Sequence, residues 1–139
     1  MLLPVDGSPR SLAAVRHAVA LSATQRAPAT LVLLNVQAPV RGNIGRFIAE
    51  ADLQRYHGDE GRKALRKAGR LAQEAGLVHE SHVVVGDVVA AILDAAERHD
   101  CQAIVLANRG HGGLSGVLLG SVSMRLLHHS PRPVILVRS

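Results

Sequence analysis

Short apolar runs alternate with longer amphipathic segments along the chain, a pattern typical of a parallel β-sheet whose strands are connected by helices. Between the runs, apolar residues recur at helical spacing and predict four helices. Two polar, glycine-bearing stretches, residues 37–46 and 108–116, are expected to be loops. We therefore predict a β-α-β-α-β-α-β-α-β order in a single domain, residues 1–139. The predicted strands are residues 2–5, 30–36, 79–85, 102–107 and 133–138.

Residues with strong positional preferences mark the ends of the predicted helices. Ser8 is a good helix N-cap and Pro9 suits the first helical position, whereas Gly76 suits the end of the second helix. Pro4 is a difficulty for the scheme, because proline cannot donate to a sheet ladder and a first strand is often central. The positions expected to face inward are Leu12, Val15, Val19 and Ser22, then Leu65, Ala68, Leu71, Ala72 and Ala75, then Val88, Ile92, Ala95 and Ala96.

Composition narrows the class of protein. The 139 residues are 47% hydrophobic and 19% charged, which is typical of one globular domain. No apolar run approaches the ~18 residues of a membrane span, and no basic segment followed by an apolar stretch opens the chain. Cys101 is the single cysteine, which excludes an internal disulfide. We expect a cytoplasmic protein that does not enter a membrane.

The net charge of +5 favours anionic partners such as nucleotide phosphate, nucleic acid or a membrane surface. Phe47 and Tyr56 are the only aromatic residues, so the chain has almost nothing on which to stack bases. Nucleic acid is therefore not expected as a specific partner. The adjacent His128 and His129 do not have the i, i+4 spacing of a helical metal pair, and no metal site is predicted.

The segment from Ala107 to Ser121 carries the candidate chemistry, because it joins a predicted buried strand to a helix at the carboxyl end of the sheet. Its glycines allow backbone amides to approach a phosphate, and the helix start offers free amides and a favourable dipole. It lacks the lysine of a P-loop and does not follow the first strand as a dinucleotide fingerprint does. A flexible turn without a ligand is the alternative.

The segment resembles the universal stress protein family, particularly its ATP-binding subgroup. That subgroup's signature is a glycine, two residues, a second glycine, nine residues, and then Gly and Ser or Thr. Here Gly110 is the second glycine, and Gly120 and Ser121 follow after nine residues. The resemblance extends to residues 5–8, to the strand that ends at Val36, to Gly86-Asp87 and to residues 131–137. The first glycine of the signature is replaced by Ala107, which puts the affinity for a ligand in doubt.

The resemblance implies a role for each matching position. Asp6 would lie near the adenosine, Val36 would recognise adenine through its backbone, and the amides after Gly120 would hold phosphate. Mg²⁺ would be coordinated by the phosphates rather than by a carboxylate cluster. Without the family pattern, Asp6 is equally explained as a turn residue and Arg109 as a solvated loop residue. The implied nucleotide-binding residues are Val5, Asp6, Val36, Ala107, Asn108, Arg109, Gly110, Gly120, Ser121, Val122 and Ser123.

The resemblance also implies an overall architecture and function. The fold would be an open, Rossmann-like α/β sandwich with strand order 3-2-1-4-5, helices on both faces, and a homodimer formed through the edge strand 134–137. An alternative for that edge is that Pro131 and Pro133 merely protect it. The implied function is an ATP-binding, stress-response regulatory switch that acts on an unknown partner protein and has no catalytic residues. The alternatives are a receptor for AMP or cyclic AMP, a slow ATP hydrolase, and a ligand-free interaction module.

Overall fold

Strands and helices alternate throughout the part of the chain that the computed structural model describes, which is residues 1–27, 29–40, 49–108 and 119–138. The order is the predicted one. The elements are β1 (Leu2–Pro4), α1 (Pro9–Ala23), β2 (Leu31–Gln37), α2 (Glu50–Glu74), β3 (His79–Val85), α3 (Val88–Arg98), β4 (Ile104–Asn108), α4 (Ser121–His129) and β5 (Val134–Arg138).

The five strands form one parallel sheet in the order β3-β2-β1-β4-β5, which confirms the predicted topology. β1 is central, with β2 and then β3 on one side, and β4 and then β5 on the other. The chain therefore reverses its direction of winding at β1. The carboxyl ends of β1 and β4 diverge into the connections at this point, which is where open α/β sheets bind ligands.

The core has two layers because successive strand residues point to opposite faces of the sheet. On one face, Leu3, Leu33 and Val105 pack with apolar residues of α1 and α2. On the other face, Leu2 and Ile104 pack with residues of α3 and α4. Both layers contain residues that are fully buried. This double coverage explains why β2 and β4 are largely continuous apolar runs rather than alternating ones.

The helix ends follow the local chemistry of the sequence. The Ser11 N–H donates to Ser8 Oγ at 3.2 Å, which confirms Ser8 as the N-cap of α1. Gly76 follows α2 with a φ of +68°, the left-handed conformation that glycine adopts without strain.

Several expectations about single positions are wrong. Gln37 is the last residue of β2, paired in register with Val85, rather than the first residue of a loop. Asn108 is the last residue of β4, paired in register with Arg138, rather than the first residue of a loop. Ala75 is exposed because α2 ends one residue earlier. Val88 is 36% exposed, and Val89 is the buried residue in the first turn of α3. These positions lie at element ends, where hydrophobic periodicity gives the least information.

No helix within the described ranges is both long enough and apolar enough to cross a membrane.

Candidate functional site

Pro4 lies at the end of β1, where the winding direction changes and β1 separates from β4. The Leu2 N–H donates to the carbonyl of Ala103, on the β4 side, and the Val5 N–H donates to the carbonyl of Leu34, on the β2 side. By this alternation the nitrogen of Pro4 faces β4, but it carries no hydrogen. The register between β1 and β4 consists of a single pair, Leu2 with Ile104. The two strands therefore separate after Leu2, and Pro4 fits a central strand.

A cleft of about 330 Å³ lies above this separation, a volume within the usual range of small-molecule sites. It is bounded by the carboxyl ends of β1, β2 and β4 and by the first turns of α1, α3 and α4. Most of the predicted binding residues line it. They are Val5, Asp6, Val36, Ala107, Gly120, Ser121, Val122 and Ser123.

The remaining three predicted residues are not among the described residues that line the cleft. Asn108 is only 4% exposed, at the end of β4, and does not line the described part of the cleft. Arg109 and Gly110 lie outside the described residues, as does most of the predicted glycine-rich loop.

Asp6 combines the two roles that the sequence suggested. Its Oδ1 accepts a hydrogen bond from the Ser8 N–H at 2.9 Å, so the carboxylate supports the turn into α1 while it lines the cleft. Gly7, with a φ of +80°, allows the chain to turn directly after it. Partial burial acts to raise the pKa of Asp6, but hydrogen bonds from Ser8 and Ser11 outweigh it and hold the pKa below its usual range. Asp6 is therefore an anionic hydrogen-bond acceptor at neutral pH.

The N-terminus of α4 faces the cleft with groups suited to an anion. Gly120 is the N-cap, and no side chain caps this helix end. The amides of Ser121, Val122 and Ser123 belong to the first turn and lack intrahelical acceptors, because the first such bond runs from the Met124 N–H to the Gly120 carbonyl at 2.9 Å. A Cβ placed on Gly120 would meet no atom of the described residues within 4 Å. The helix end is therefore both electropositive and open.

Among the lining residues that the sequence analysis did not predict, Arg10 and Asn35 carry polar side chains that bear on the chemistry of the site. Arg10, in the first turn of α1, lines the cleft and is the only Lys or Arg among the described lining residues. Asn35 is 3% exposed in β2, and its Nδ2 donates to the Val5 carbonyl at 2.7 Å. The Nε2 of Gln37 donates to Asn35 Oδ1 at 2.6 Å. This chain of amides fixes the backbone just before Asp6. The signal in the sequence was the single polar residue interrupting the apolar run of β2.

Asp87 ties the first turn of α3 to α4. Its Oδ1 accepts from the Ala90 N–H at 2.9 Å as the N-cap of α3, and it lies 3.3 Å from Nη2 of Arg125. The Ala90 hydrogen bond and the Arg125 guanidinium hold the pKa of Asp87 below its usual range. The contact fixes the relative position of the two helices that bound one side of the cleft.

Replacing Asp87 by Asn is expected to lower the Tm at neutral pH, because Asn preserves the cap but removes the charge that faces Arg125. Since the folded-state pKa is depressed, this stabilisation is complete above the unfolded-state pKa of about 4 and is lost as the pH falls through the folded-state value. Thermal unfolding of both proteins from pH 7 to pH 3 measures the effect. A Tm difference that stays constant over that range would contradict the assignment.

A sequence model of the universal stress protein family matches residues 1–138. The chain belongs to this family. Universal stress protein YxiE of Bacillus subtilis is 31% identical over 144 residues, which are 99% of this chain and 97% of that protein. Universal stress protein MJ0531 of Methanocaldococcus jannaschii is 29% identical over 140 residues, 99% of this chain and 81% of the relative. The family resemblance of the sequence is thus confirmed.

Solved structures of universal stress proteins share the fold. UspA of Lactobacillus plantarum superposes with a TM-score of 0.76 at 24% identity, covering 99% of this chain and 95% of that one. A universal stress protein in complex with cAMP gives a TM-score of 0.69 at 28% identity, with 98% and 94% of the two chains covered. A family member from Arabidopsis thaliana with AMP bound has the same fold, with a TM-score of 0.68 at 19% identity and coverage of 99% and 89%.

Proposed function

We propose that this chain binds an adenine nucleotide in the cleft above β1 and β4 and acts as a nucleotide-dependent regulatory protein in a stress response. The observation that carries the proposal is the uncapped N-terminus of α4, which presents Gly120 and the following free amides to the cleft. A helix N-terminus of this kind is suited to phosphate groups. The cAMP complex of a related protein at 28% identity supports adenine as the base.

The proposed pose follows from the lining residues. The phosphates would lie on the amides of Ser121 and Val122, with the Ser123 hydroxyl and the cation of Arg10 within the same cleft. Asp6, an anion, would accept from a ribose hydroxyl or from the adenine amino group. Val36 would contact the base at the end of β2. Arg109 and Gly110 stay assigned to the phosphates on the family pattern alone.

Ala107 is compatible with this pose. Its methyl group is half-buried and packs against the core layer beneath α1 and α2, which contains Leu3 and Val105. The side chain that replaces the signature glycine thus has a place in the core, although the residue also lines the cleft. We therefore propose that the site is retained, in preference to a ligand-free interaction module.

We propose binding without efficient turnover. Asp6 is the only Asp or Glu among the described lining residues, and it already supports the turn through Ser8. No lysine is present among those lining residues to neutralise a transferred phosphoryl group. With ATP as ligand, Mg²⁺ would be held by the phosphates themselves. Slow hydrolysis is a secondary hypothesis.

The wider assignments are proposals on the family pattern. The chain would act as one universal stress protein domain, residues 1–139, in the cytoplasm, where its single cysteine suits a reducing environment. It would form a homodimer through β5, an edge strand whose residues Val134 to Val137 are only partly covered. Nucleotide binding would change the surface recognised by a regulatory partner protein.

Calorimetric titration with ATP, AMP and cAMP, in Mg²⁺ and in chelator, tests the nucleotide proposal. We expect micromolar binding, with ATP tighter than AMP by about tenfold or more, because even one additional charge-assisted hydrogen bond is worth ~1.5–3 kcal/mol. Tighter binding of AMP or cAMP than of ATP would replace the ATP assignment by a nucleoside monophosphate receptor. Absence of heat and of competition with all three would contradict nucleotide binding and favour the ligand-free module.

A further inference from the structure

Two histidines and a glutamate meet on the face of β3 that packs beneath α3. Glu80 and His82 are two residues apart on β3, so their side chains project from the same face of the strand. His99 is the C-cap of α3, and the helix ends directly over them. The trio joins an edge strand to the end of a helix that follows it in the chain.

The donor atoms of this trio converge. Glu80 Oε2 lies 3.2 Å from Nε2 of His82 and 3.3 Å from Nδ1 of His99. One ligand atom from each of the three residues falls within 4.8 Å of the other two. The imidazole rings have centroids 4.4 Å apart at an interplanar angle of 45°. Each group thus directs a potential ligand atom toward a common region.

These separations match those of a metal coordination sphere. Ligand atoms about 2.0–2.2 Å from a tetrahedral zinc ion lie about 3.3–3.6 Å from one another. Both separations that involve Glu80 are within about 0.1 Å of that range, and the two imidazole nitrogens, at most 4.8 Å apart, would approach each other when an ion binds. Two imidazoles and one carboxylate are a donor set that suits zinc and neighbouring divalent transition ions.

We propose that Glu80, His82 and His99 form a binding site for a divalent transition-metal ion, with Zn²⁺ as the representative ion. The side chains are 53%, 37% and 24% exposed, respectively, so an ion can enter and water can fill the remaining coordination position. The bound ion cross-links the end of α3 to the edge strand β3.

This site is separate from the nucleotide cleft. Glu80 is the second residue of β3, near the amino end of the strand, whereas the cleft lies at the carboxyl end of the sheet. None of the three residues lines the cleft. The nearby Cys101 is buried and does not belong to the converging trio, so the proposed donor set consists of nitrogen and oxygen only.

Calorimetric titration of untagged, metal-free protein with Zn²⁺, in the absence of nucleotide, tests the proposal. We expect one equivalent to bind. The single variants His82→Ala and His99→Ala should each lower the affinity by at least about tenfold, a loss that even an outer-shell partner of a metal site can cause. Glu80→Gln should weaken binding similarly while preserving the size of the side chain. Titration with Co²⁺ should give visible absorption bands in the wild type that both histidine variants reduce.

Two variants control for zinc bound elsewhere. The double variant His128→Ala/His129→Ala removes an exposed histidine pair whose ring centroids are 4.8 Å apart. Cys101→Ser removes the only thiol of the chain. Both controls should bind Zn²⁺ like the wild type, and circular dichroism should confirm that every variant is folded. Unchanged affinity in His82→Ala and His99→Ala, or loss confined to a control variant, would show that the trio is only a hydrogen-bonded cluster and overturn the proposal.

Discussion

Replacing Gly120 by Val is expected to weaken ATP binding by about 100-fold while leaving the fold intact. The valine side chain would occupy the space beside the first amides of α4 and keep phosphate oxygens away from them. Loss of two charge-assisted hydrogen bonds, each worth ~1.5–3 kcal/mol, corresponds to at least about this factor. Gly120→Ala should give an intermediate loss, because a single methyl group excludes less of the phosphate.

The backbone conformation of Gly120 and the space around it indicate that Gly120→Val affects nucleotide binding rather than folding. Its φ of −63° and ψ of 155° are accessible to any residue, and a Cβ would meet no atom of the described residues within 4 Å. Gly86 is the matched control, since its Cβ would also meet no atom within 4 Å and it does not line the cleft. We expect Gly86→Val to bind ATP like the wild type in the same calorimetric titration. Unchanged affinity in Gly120→Val would contradict the placement of phosphates at α4.

Replacing Gly61 by Ala is expected to destabilise the protein by about 1–3 kcal/mol, the usual result of overpacking a core. Gly61 lies where α2 crosses β3, and an added Cβ would be 2.4 Å and 2.5 Å from the two methyl groups of Val83. Val83 is β-branched and packs against the core layer beneath α1 and α2, so it cannot easily rotate away. The gain in helix propensity from glycine to alanine, about 1 kcal/mol, offsets only part of this strain.

Urea unfolding of the wild type, Gly61→Ala, Val83→Ala and the double variant measures how much the steric contact between the two residues changes the free energy of unfolding. In a Val83→Ala background both methyl groups are removed and only the Cβ of residue 83, 3.0 Å away, remains close, so Gly61→Ala should cost less than in the wild type. Gly58 in the same helix is the control, because its Cβ would meet only the flexible end of Arg62. Gly58→Ala should stabilise the protein by up to about 1 kcal/mol. If Gly61→Ala were as stable as the wild type, the close packing of α2 on β3 would be wrong.

The topology could be predicted because hydrophobic patterning acts over whole elements. The apolar run of β2, the Val83–Val85 run that ends β3 and the periodic face of α2 leave few alternatives to a parallel sheet with helical connections. Element ends depend instead on tertiary contacts. Asn108 continues β4 because β5 pairs with it, and that pairing cannot be inferred from a polar residue before a glycine-rich segment.

The candidate site was predictable where the chemistry is local. The cap of α1 at Ser8 and the open start of α4 at Gly120 depend only on neighbouring residues. The other candidate binding residues were predicted from the family resemblance. Asn35 was missed because its partner is the carbonyl of Val5, thirty positions away in the chain. The trio that includes Glu80 and His99 was missed for the same reason, because only the folded sheet brings the end of α3 over β3.

The proline of β1 has a consequence for the energetics of ligand entry. A gap held open by side chains can close when the ligand leaves, since the exposed backbone groups are then free to pair. The nitrogen of Pro4 has no hydrogen to offer β4, so this part of the gap is fixed by covalent structure. A ligand entering there does not have to break strand hydrogen bonds first, and less of its interaction energy is lost to reorganisation. In this respect the proposed binding site is preorganised by a single imino acid.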